Sequence, residues 1–386
     1  MTIEQQTRPI EAARTLRSDI RARAAEIEEQ RRVPEDLIEA MRERGLFHLG
    51  LPSSLDGLGL DPVESARVVE ELAAADGSVG WIAMVAAQAT WYSTFLGDDD
   101  VTAIWGDGGI VAGTARASGR AVAVEDPEPG YLVSGRWPFA SGSTHATWFM
   151  GECVIYDGDQ PRTDADGNED TRALFVPREH VAIDDTWHTT GLRGTASHDF
   201  SVDQAFVHAS RGFQMLATPP KQPWACPGGE PLVFANHGTH ALGVARAAIE
   251  AAVDVMQTKK GWGGQALSSV PRLQATVAEA TALVESARSY LYETAGALWE
   301  SVEAGEDSAH LRARTRLATS HAVKSSVQAV DLVHASVATS SIFTSSALER
   351  PFRDIHTAAA HVMIGSMTFE AAGRVELGQP AEFPFF

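Results

Sequence analysis

The sequence predicts an α+β fold, mostly α-helical, in which a small β domain lies between two helical domains. Residues 8–105 repeat apolar side chains at intervals of three and four, which is the spacing of amphipathic helices. Residues 110–212 instead contain short runs rich in β-branched and aromatic residues, bounded by Gly, Asp and Asn. Helical periodicity then returns after a proline-rich segment and continues almost to the end of the chain. We therefore expect an N-terminal helical domain over 1–110, a central β-barrel or sandwich over 111–215 and a C-terminal helical domain over 230–386.

The N-terminal domain is predicted to hold amphipathic helices around one buried helix. Asp61 is a favourable N-cap, and Pro62 suits the first turn of the helix that follows it. The later segment VGWIAMVAAQATWYSTFL is apolar on every side, which is typical of a helix enclosed by protein.

Four long, alanine-rich helices are predicted in the C-terminal domain. Their small side chains allow close helix packing, and a four-helix bundle is the simplest way to bury them. The predicted helices lie near 231–257, 271–303, 307–338 and 346–373. The last of them contains two histidines, His356 and His361, among small and apolar residues.

Composition and charge favour a small-molecule partner. The chain has 386 residues and a formal net charge of −20, which repels nucleic acid and anionic membrane surfaces. No apolar run is long enough to span a bilayer, and the N-terminus lacks the apolar core of a signal peptide. Two cysteines, Cys153 and Cys226, cannot form a disulfide framework. These features predict a cytoplasmic protein that binds neither nucleic acid nor membrane.

Two segments of the central domain carry a resemblance to a known family. They are GYLVSGRWPFASGSTHATWF and, further along, GLRGTASHDFSVDQAFV. In this order, and between two helical domains, they resemble the acyl-CoA dehydrogenase superfamily over nearly the whole chain. The resemblance implies that the first segment meets a flavin, with Ser141 beside its ring nitrogen N5, and that the second shapes the wall near flavin and substrate. The cofactor-binding residues it implies are Trp137, Phe139, Ser141, Ser143, Arg193 and Thr195.

Each of these residues also has a purely structural interpretation. Trp137 and Phe139 are consistent with packing in the core of a sheet, and Ser141 is consistent with a turn. Arg193 is consistent with a structural ion pair. The sequence leaves both interpretations open.

The segment LERPFRDIHTAAAHVMIGS resembles the region in which dehydrogenases of this superfamily carry a catalytic glutamate. Aligned on its ERPFRD stretch, Val362 stands in the place of that glutamate and His361 in the place of a nearby tyrosine. A histidine here is similar to the flavin-dependent monooxygenase branch, whose two-component enzymes hydroxylate phenols, indoles and related compounds. The resemblance also implies that Arg353 contributes to the cofactor site.

The monooxygenase resemblance implies a specific chemistry. The cofactor would be reduced FAD, with reduced FMN as the other candidate, and a separate NAD(P)H:flavin reductase would supply it. Its reaction with O2 would give a C4a-hydroperoxyflavin. His361 would act as acid or base beside it, because histidine titrates near neutral pH, and Ser141 would order the flavin edge. One oxygen atom would enter an aromatic or heteroaromatic small molecule of indole or phenol type, in secondary metabolism.

Core packing and metal binding are the alternatives for the histidines. A step of five residues rotates a helical side chain by about 140°, so His356 and His361 need not share a site. A zinc pair on a helix needs a spacing of four and a third ligand. The other histidines, His237 and His240 among them, show no ligand spacing. No metal site is predicted.

The stretches that would hold the far end of FAD depart from the superfamily pattern. In the superfamily pattern, an arginine from a neighbouring subunit binds the FAD pyrophosphate. The corresponding stretch here, TKKGWGGQ, has Lys259 and Trp262 instead. A glycine pair is replaced in ATSSIF, which offers Thr339 and Ser340. The lysine ammonium group is a point charge and cannot bind a phosphate bidentately, as an arginine guanidinium can. Both changes fit a weakly bound flavin that diffuses to this protein from a separate reductase. They are equally consistent with a protein surface that binds no cofactor. The resemblance implies a homotetramer or a dimer.

The buried N-terminal helix is where this branch places side chains over the substrate. Trp81, Gln88, Trp91 and Tyr92 are the candidates, and they suit an aromatic substrate that stacks on them. They are also consistent with core packing. Three other functions stay open: an acyl-CoA dehydrogenase whose base lies on another helix, an amino-sugar N-oxygenase with a polar pocket, and a helical scaffold that has lost its flavin.

Overall fold

A computed structural model describes residues 9–126, 128–163, 167–215, 217–224, 229–306, 308–383 and 386. Six helices come first, eight strands follow, and five helices complete the described part of the chain. This arrangement confirms the predicted α+β class. Cys153 is a free thiol buried in the sheet, whereas Cys226 lies outside the described residues.

The N-terminal helices pack around the predicted buried helix. They are α1 (Pro9–Ala22), α2 (Ala24–Gln30), α3 (Glu35–Arg42), α4 (Pro62–Ala75), α5 (Gly77–Ala89) and α6 (Asp98–Trp105). The N-cap at Asp61 is confirmed, since its Oδ1 accepts the Glu64 backbone N–H at 2.8 Å. Almost all of α5 is buried, because it contacts α4, the first β strand and the first long C-terminal helix.

Eight strands form one hydrogen-bonded sheet. They are β1 (Val111–Val124), β2 (Gly130–Ala140), β3 (Trp148–Asp157), β4 (Gln160–Pro161), β5 (Thr171–Pro177), β6 (Val181–Asp184), β7 (His198–His208) and β8 (Gly212–Phe213). Their order is β6-β7-β2-β1-β3-β5-β8, with β4 paired to β3. Only β1 and β3 run parallel among these pairs. The sheet core is aromatic, with Trp137 stacked on Phe200 at a centroid distance of 4.9 Å.

The C-terminal helices form the bundle that the sequence predicts. They are α7 (Glu230–Thr258), α8 (Pro271–Glu303), α9 (Ala309–Ser336), α10 (Glu349–Ala358) and α11 (Ser366–Glu376). Alanine, valine and leucine side chains of α7, α8 and α9 make a continuous core. Within the described ranges, no helix is long and apolar enough to cross a membrane.

The predicted fourth helix over 346–373 is wrong as a continuous element. It breaks into α10 and α11, and His361 lies between them with φ −68° and ψ 132°, outside the helical region. Two hydrogen bonds to the Met363 carbonyl stabilise the break, from the Arg316 guanidinium at 2.8 Å and from the Thr368 hydroxyl at 3.2 Å. The helical rotation that separated His356 from His361 therefore does not apply.

Candidate active site

A cavity of about 770 Å³ opens where α5, the sheet, α7 and the turn between α10 and α11 meet. Its volume is within the range of small-molecule and cofactor sites. The lining is mostly apolar and aromatic. The described lining residues include no aspartate and no glutamate. Seven residues predicted from sequence line it together: Trp81, Gln88, Trp91, Tyr92, Phe139, Ser141 and His361.

One wall of the cavity carries a row of three hydroxyl groups. Ser141 Oγ lies 2.7 Å from Ser197 Oγ, which lies 2.7 Å from Thr195 Oγ1. The Trp81 indole N–H donates to Ser141 Oγ at 3.0 Å. Ser141 follows the end of β2, while Ser197 and Thr195 belong to the loop before β7. The two sequence motifs are therefore brought together, and Ser141 and Ser197 face the cavity.

Phe139 presents an exposed aromatic ring to this cavity. Its backbone is left-handed, with φ +66°, and its side chain is 61% exposed. The ring contacts Trp187 edge-on at a centroid distance of 6.4 Å. Core packing, the alternative for Phe139, is wrong. A phenylalanine in this conformation costs free energy, which is typical of a residue held for binding.

Trp137 and Ser143 lie behind the wall, and direct contact with a bound cofactor is not available to either. Trp137 has no exposed surface and donates its indole N–H to the Glu152 carbonyl at 2.8 Å. Ser143 is equally buried and donates to the Ala196 carbonyl at 2.7 Å. The strand pairing shifts between Trp137 and Ala140, where Phe139 turns left-handed. This irregularity puts Trp137 and Phe139 on opposite faces, although a regular strand would place both on one face.

Two imidazole rings meet in the cavity. His361 and His237 have ring centroids 4.5 Å apart, and both pack edge-on against Trp81 at 5.9 and 5.6 Å. His237 lies on α7 and was not predicted, because the two histidines of that helix, His237 and His240, show no metal-ligand spacing. Its sequence signal is His240 three residues later, whose ring packs edge-on against Trp81 at a centroid distance of 5.1 Å. His356 instead lies outside, 3.0 Å from the Asp331 carboxylate.

Hydrogen bonds fix the neutral tautomer of each imidazole. The Met363 backbone N–H donates to His361 Nδ1 at 3.3 Å, so the His361 proton is on Nε2. Gln88 donates one amide hydrogen to the Val233 carbonyl at 3.0 Å, which leaves the other for His237 Nδ1 at 3.1 Å. The Phe234 carbonyl is 3.2 Å from the same Nδ1, but protonation there would set two N–H groups against each other. His237 therefore also carries its proton on Nε2.

Both imidazoles are uncharged at neutral pH. Burial, together with the nearby Arg316 guanidinium, lowers the pKa of His361 to about 4. Burial also holds the pKa of His237 well below its usual value, with His361 and Arg316 adding to the effect. Each neutral imidazole holds an Nε2–H and can take up a proton only at Nδ1, which already accepts a hydrogen bond. The expected titration of His361 near neutral pH is therefore wrong for this buried position, because its pKa is about 4.

Arg316 is a buried cation beneath this pair. It has no exposed surface, and its Nε and Nη1 have no hydrogen-bond partner among the described residues. Burial lowers the pKa of Arg316 to about 10, so it stays charged at neutral pH. Its guanidinium lies 4.8 Å from the centre of the Phe234 ring, a cation–π contact that compensates part of the burial.

The predicted cofactor residues Arg353 and Arg193 lie outside the cavity lining. Both pair with Glu28 of α2, at 2.9 and 3.6 Å, and Arg353 also bonds Glu349 and the Thr190 carbonyl. A side chain at Gly191 would collide with the Arg353 carbonyl, so the loop before β7 packs tightly on α10. The ion-pair alternative for Arg193 therefore agrees with its geometry.

The four residues predicted at the far end of a dinucleotide lie on a different surface. The Lys259 ammonium donates to Ser340 Oγ at 2.9 Å, which joins the ends of α7 and α9. Thr339 is exposed beside them, and Trp262 is fully exposed. None of the four lines the cavity. Within the described part of the chain, no group of three histidine, cysteine or acidic side chains could hold a metal ion.

Two family models match the chain. The model of the acyl-CoA dehydrogenase N-terminal domain matches residues 2–105, and that of the acyl-CoA dehydrogenase C-terminal domain matches residues 235–366. Both lie outside the β domain.

Characterised relatives and a solved structure resemble the chain over nearly its whole length. Indole-3-acetate monooxygenase of Pseudomonas putida is 29% identical over 374 residues, covering 93% of this chain and 91% of the relative. The FADH(2)-dependent resorcinol hydroxylase, oxygenase component, of Rhizobium sp. is 29% identical over 387 residues, covering 93% and 90%. The crystal structure of 3-HSA hydroxylase from Rhodococcus sp. RHA1 superposes with a TM-score of 0.88 at 25% identity, covering 98% of this chain and 99% of that one.

Proposed function

The chain belongs to the acyl-CoA dehydrogenase family, and we propose that within it this protein is the oxygenase component of a two-component, flavin-dependent monooxygenase. Its substrate is an aromatic or heteroaromatic small molecule of indole or phenol type. The observation that carries the proposal is the pair of neutral imidazoles, His361 and His237, in a cavity whose described lining has no carboxylate.

The cavity fits a flavin ring. Such a ring is flat and apolar on both faces, while its edge nitrogens and oxygens need hydrogen-bond partners. Phe139 offers an exposed aromatic surface in a strained conformation, and Ser141 offers a hydroxyl at the edge of the same wall. These two residues, with Ser197 behind Ser141, would hold the ring. Reduced FAD is the proposed form, by analogy with the FADH(2)-dependent relative, and FMN is the alternative.

When bound, reduced flavin supplies two electrons to O2, so that one oxygen atom enters the substrate and the other leaves as water. His361 and His237 each hold a proton on Nε2 beside the cavity. Because both are neutral, either can donate its Nε2–H in a hydrogen bond to the substrate or to an oxygen atom. To accept a proton and pass it on, the imidazole must first release the hydrogen bond at Nδ1, which in His361 is the long 3.3 Å contact with the Met363 N–H. His361 is the proposed acid or base, and the Gln88 hydrogen bond orients His237 as its neighbour.

The aromatic part of the lining suits a planar substrate. Trp91 and Tyr92 pack against each other at 5.6 Å and extend into a cluster of phenylalanines. Burial raises the pKa of Tyr92, so its hydroxyl stays protonated. Apolar walls also keep water from the reacting atoms. Secondary metabolism, as the setting of such a substrate, remains part of the proposal.

Specific observations weigh against two alternative functions. An acyl-CoA dehydrogenase removes an α-proton with a carboxylate, and the described cavity lining offers none. An amino-sugar N-oxygenase needs polar groups for many hydroxyls, whereas the lining is dominated by Trp81, Val85, Trp91, Phe139 and Met363.

A reductase and further copies of the chain are the proposed partners. The first is implied by the oxygenase-component name of the resorcinol hydroxylase relative. The second is supported by exposed apolar side chains beside the Lys259–Ser340 contact: Trp262, Ile342 and Phe343 are 110%, 66% and 61% exposed. A homotetramer, or a dimer, in which a second subunit covers them is proposed, and the proposed location is the cytoplasm.

The test is oxygen incorporation from ¹⁸O2. The purified protein is mixed anaerobically with reduced FAD or reduced FMN and then exposed to ¹⁸O2 in the presence of indole, indole-3-acetate or resorcinol. A product carrying one ¹⁸O atom, formed only when protein is present, supports the proposal. No labelled product, together with co-purifying FAD that an acyl-CoA bleaches, would establish the dehydrogenase instead.

A further inference from the structure

Among the described residues that line the cavity, Arg116 of β1 has the one charged side chain. The other ionisable groups of this lining are uncharged at neutral pH, because burial lowers the pKa of His237 and His361 and raises the pKa of Tyr92. The same lining has no aspartate or glutamate. The cavity thus carries a positive charge, although the whole chain has a formal net charge of −20.

An irregularity in the sheet places Arg116 at the rim. Thr114 is the last residue of β1 to pair with β3 before the register shifts, and the pairing resumes at Gly119. The five steps between these residues are opposed by only two steps along β3. The pairing of β1 with β2 also begins at Gly119. Residues 115–118 therefore bulge from the sheet, and a bulge next to a binding site commonly redirects a side chain.

The base of this bulge is tightly packed. The Trp137 indole lies across Gly119, Gly135 and Gly151, three glycines at which a Cβ atom would collide with its ring. The sheet can therefore close around this tryptophan only where the three strands carry glycine. The position of Arg116 at the rim follows from this packing.

The exposed Arg116 guanidinium is available to a ligand. The backbone N–H of Arg116 lies 3.4 Å from Thr114 Oγ1, but its side chain has no ion pair and no hydrogen bond within the described part of the chain. Arg120, on the same strand, instead pairs with Asp159 at 3.1 Å and lies over the Tyr156 ring, outside the cavity lining. A guanidinium has five N–H donors in a planar fork, which matches the two oxygens of a carboxylate.

We propose that Arg116 binds a carboxylate on the substrate, so that the substrate is an aromatic or heteroaromatic acid. The inference rests on the proposed function. The aromatic ring enters the apolar part of the cavity beside Trp91 and Tyr92, while the carboxylate stays at the rim and bonds the guanidinium through both oxygens. A carboxylate at the rim keeps contact with water, so the ring is buried without the cost of burying an ion. Arg116 is thus a specificity-determining residue that also orients the ring.

The test compares acids with their amides, which have nearly the same shape and differ in charge. Indole-3-acetate with indole-3-acetamide is one pair, and 4-hydroxyphenylacetate with 4-hydroxyphenylacetamide is the other. Each compound is titrated calorimetrically into the protein under argon, in the presence of reduced FAD. We expect at least one acid to bind about tenfold or more tightly than its amide, the effect of a charged hydrogen bond. Arg116→Gln should abolish this preference and leave the affinity for the amide unchanged.

Two further variants make the result specific. Arg116→Lys keeps the charge but loses the two-point geometry, and should keep only part of the preference. Arg120→Gln removes one positive charge from the same strand, outside the cavity lining, and should keep all of it. Equal losses in Arg116→Gln and Arg120→Gln would overturn the proposal, because they would reflect the net charge of the protein and not a contact with the ligand.

The phosphate of the flavin is a second source of the same anionic chemistry. The affinities for reduced FMN and for reduced riboflavin, which has no phosphate, are therefore compared in the same variants. If Arg116→Gln lowers the preference for FMN over riboflavin and leaves the acids and amides unaffected, Arg116 binds the flavin phosphate and the proposal is overturned.

Failure of this inference is distinguishable from failure of the proposed function. Acids that bind the unaltered protein no more tightly than their amides overturn the carboxylate site, while incorporation of ¹⁸O into indole or resorcinol still supports the monooxygenase. A preference for the acid that Arg116→Gln abolishes, in a protein that incorporates no ¹⁸O, supports the carboxylate site and removes the proposed function.

Discussion

The imidazole rings of His237 and His361 lie 4.5 Å apart, although one comes from the first bundle helix and the other from a turn near the end of the chain. Trp81 contacts both rings edge-on and donates its indole N–H to Ser141, which follows β2. One tryptophan of the N-terminal domain thus connects the proposed proton-transfer pair to the proposed flavin wall. The cavity exists only where all three parts of the chain meet.

Removal of the His361 imidazole should abolish coupled oxygenation. In His361→Ala we expect product formation to fall about a hundredfold or more, the usual contribution of a general acid or base, with hydrogen peroxide released instead. The measurement is the ratio of hydroxylated product to peroxide for each flavin oxidised.

The matched control is His361→Asn. Asparagine can accept the Met363 N–H as His361 Nδ1 does, so the turn is retained, but it cannot transfer a proton. Equal losses in the two variants indicate proton transfer. Full activity in His361→Asn with loss in His361→Ala would reduce His361 to a structural cap.

Replacement of Phe139 should separate stability from flavin binding. Glycine accepts the left-handed conformation without strain, so Phe139→Gly should unfold with a free energy about 1 kcal/mol higher than Phe139→Ala. Both variants lack the exposed ring and should bind reduced FAD more weakly than the unaltered protein, to a similar extent. Thermal unfolding and fluorescence titration measure the two effects. Flavin affinity that is unchanged in both variants would contradict the role of Phe139 as a ring surface.

Motif order was enough to predict most of the cavity from sequence. The apolar segment around Trp81 had to be buried, and the two β motifs had to adjoin, so Trp81, Ser141 and His361 could be named. The sequence could not reveal the break before Ser366, because alanines at 358–360 suit a helix. What interrupts the helix is tertiary: a guanidinium from α9, Arg316, binds the Met363 carbonyl.

His237 and the left-handed Phe139 were beyond sequence reasoning for similar reasons. His237 shares its apolar helix with His240, but the pair has no metal-ligand spacing, and only the fold brings His237 to His361. A phenylalanine at an irregular strand position looks like any other strand residue, so Trp137 and Phe139 received the same two interpretations, cofactor binding and core packing. In both cases the deciding contacts join residues distant in the chain.

Two buried groups should make the free energy of unfolding depend on pH, in opposite directions. Burial raises the pKa of Asp354 to about 8, with the Asp76 carboxylate adding to the effect. The native state then holds a proton that the unfolded chain releases near pH 4, so Asp354 lowers the stability as pH rises from about 4 to about 8. His361, whose native pKa is about 4, stays neutral while the unfolded histidine takes a proton near pH 6.5. It therefore lowers the stability as pH falls from about 6.5 to about 4.

Asp354→Asn isolates the first of these groups. The amide oxygen can still accept the Leu192 N–H, while the titration disappears. Relative to the unaltered protein, the unfolding free energy of Asp354→Asn should rise with pH by about 1.4 kcal/mol for each pH unit between about 5 and 7. Denaturant unfolding at pH 5, 6 and 7 measures it. Two parallel stability curves would show that Asp354 is ionised in the native state.

Arg316 should control the protonation of His361 from beneath the cavity. Its buried positive charge opposes a second charge on the imidazole, so Arg316→Met should move the His361 pKa upward. The acid limb of the pH profile for product formation reports this pKa and should shift toward neutral pH. Arg316→Lys, which keeps a charge and a donor for the Met363 carbonyl, should leave the acid limb in place.

The Arg316→Met protein should fold normally. Two guanidinium nitrogens of Arg316 have no hydrogen-bond partner among the described residues. Removal of this uncompensated buried charge should therefore offset the loss of the hydrogen bond to Met363. Identical acid limbs in the two variants would mean that burial alone, without Arg316, keeps His361 neutral.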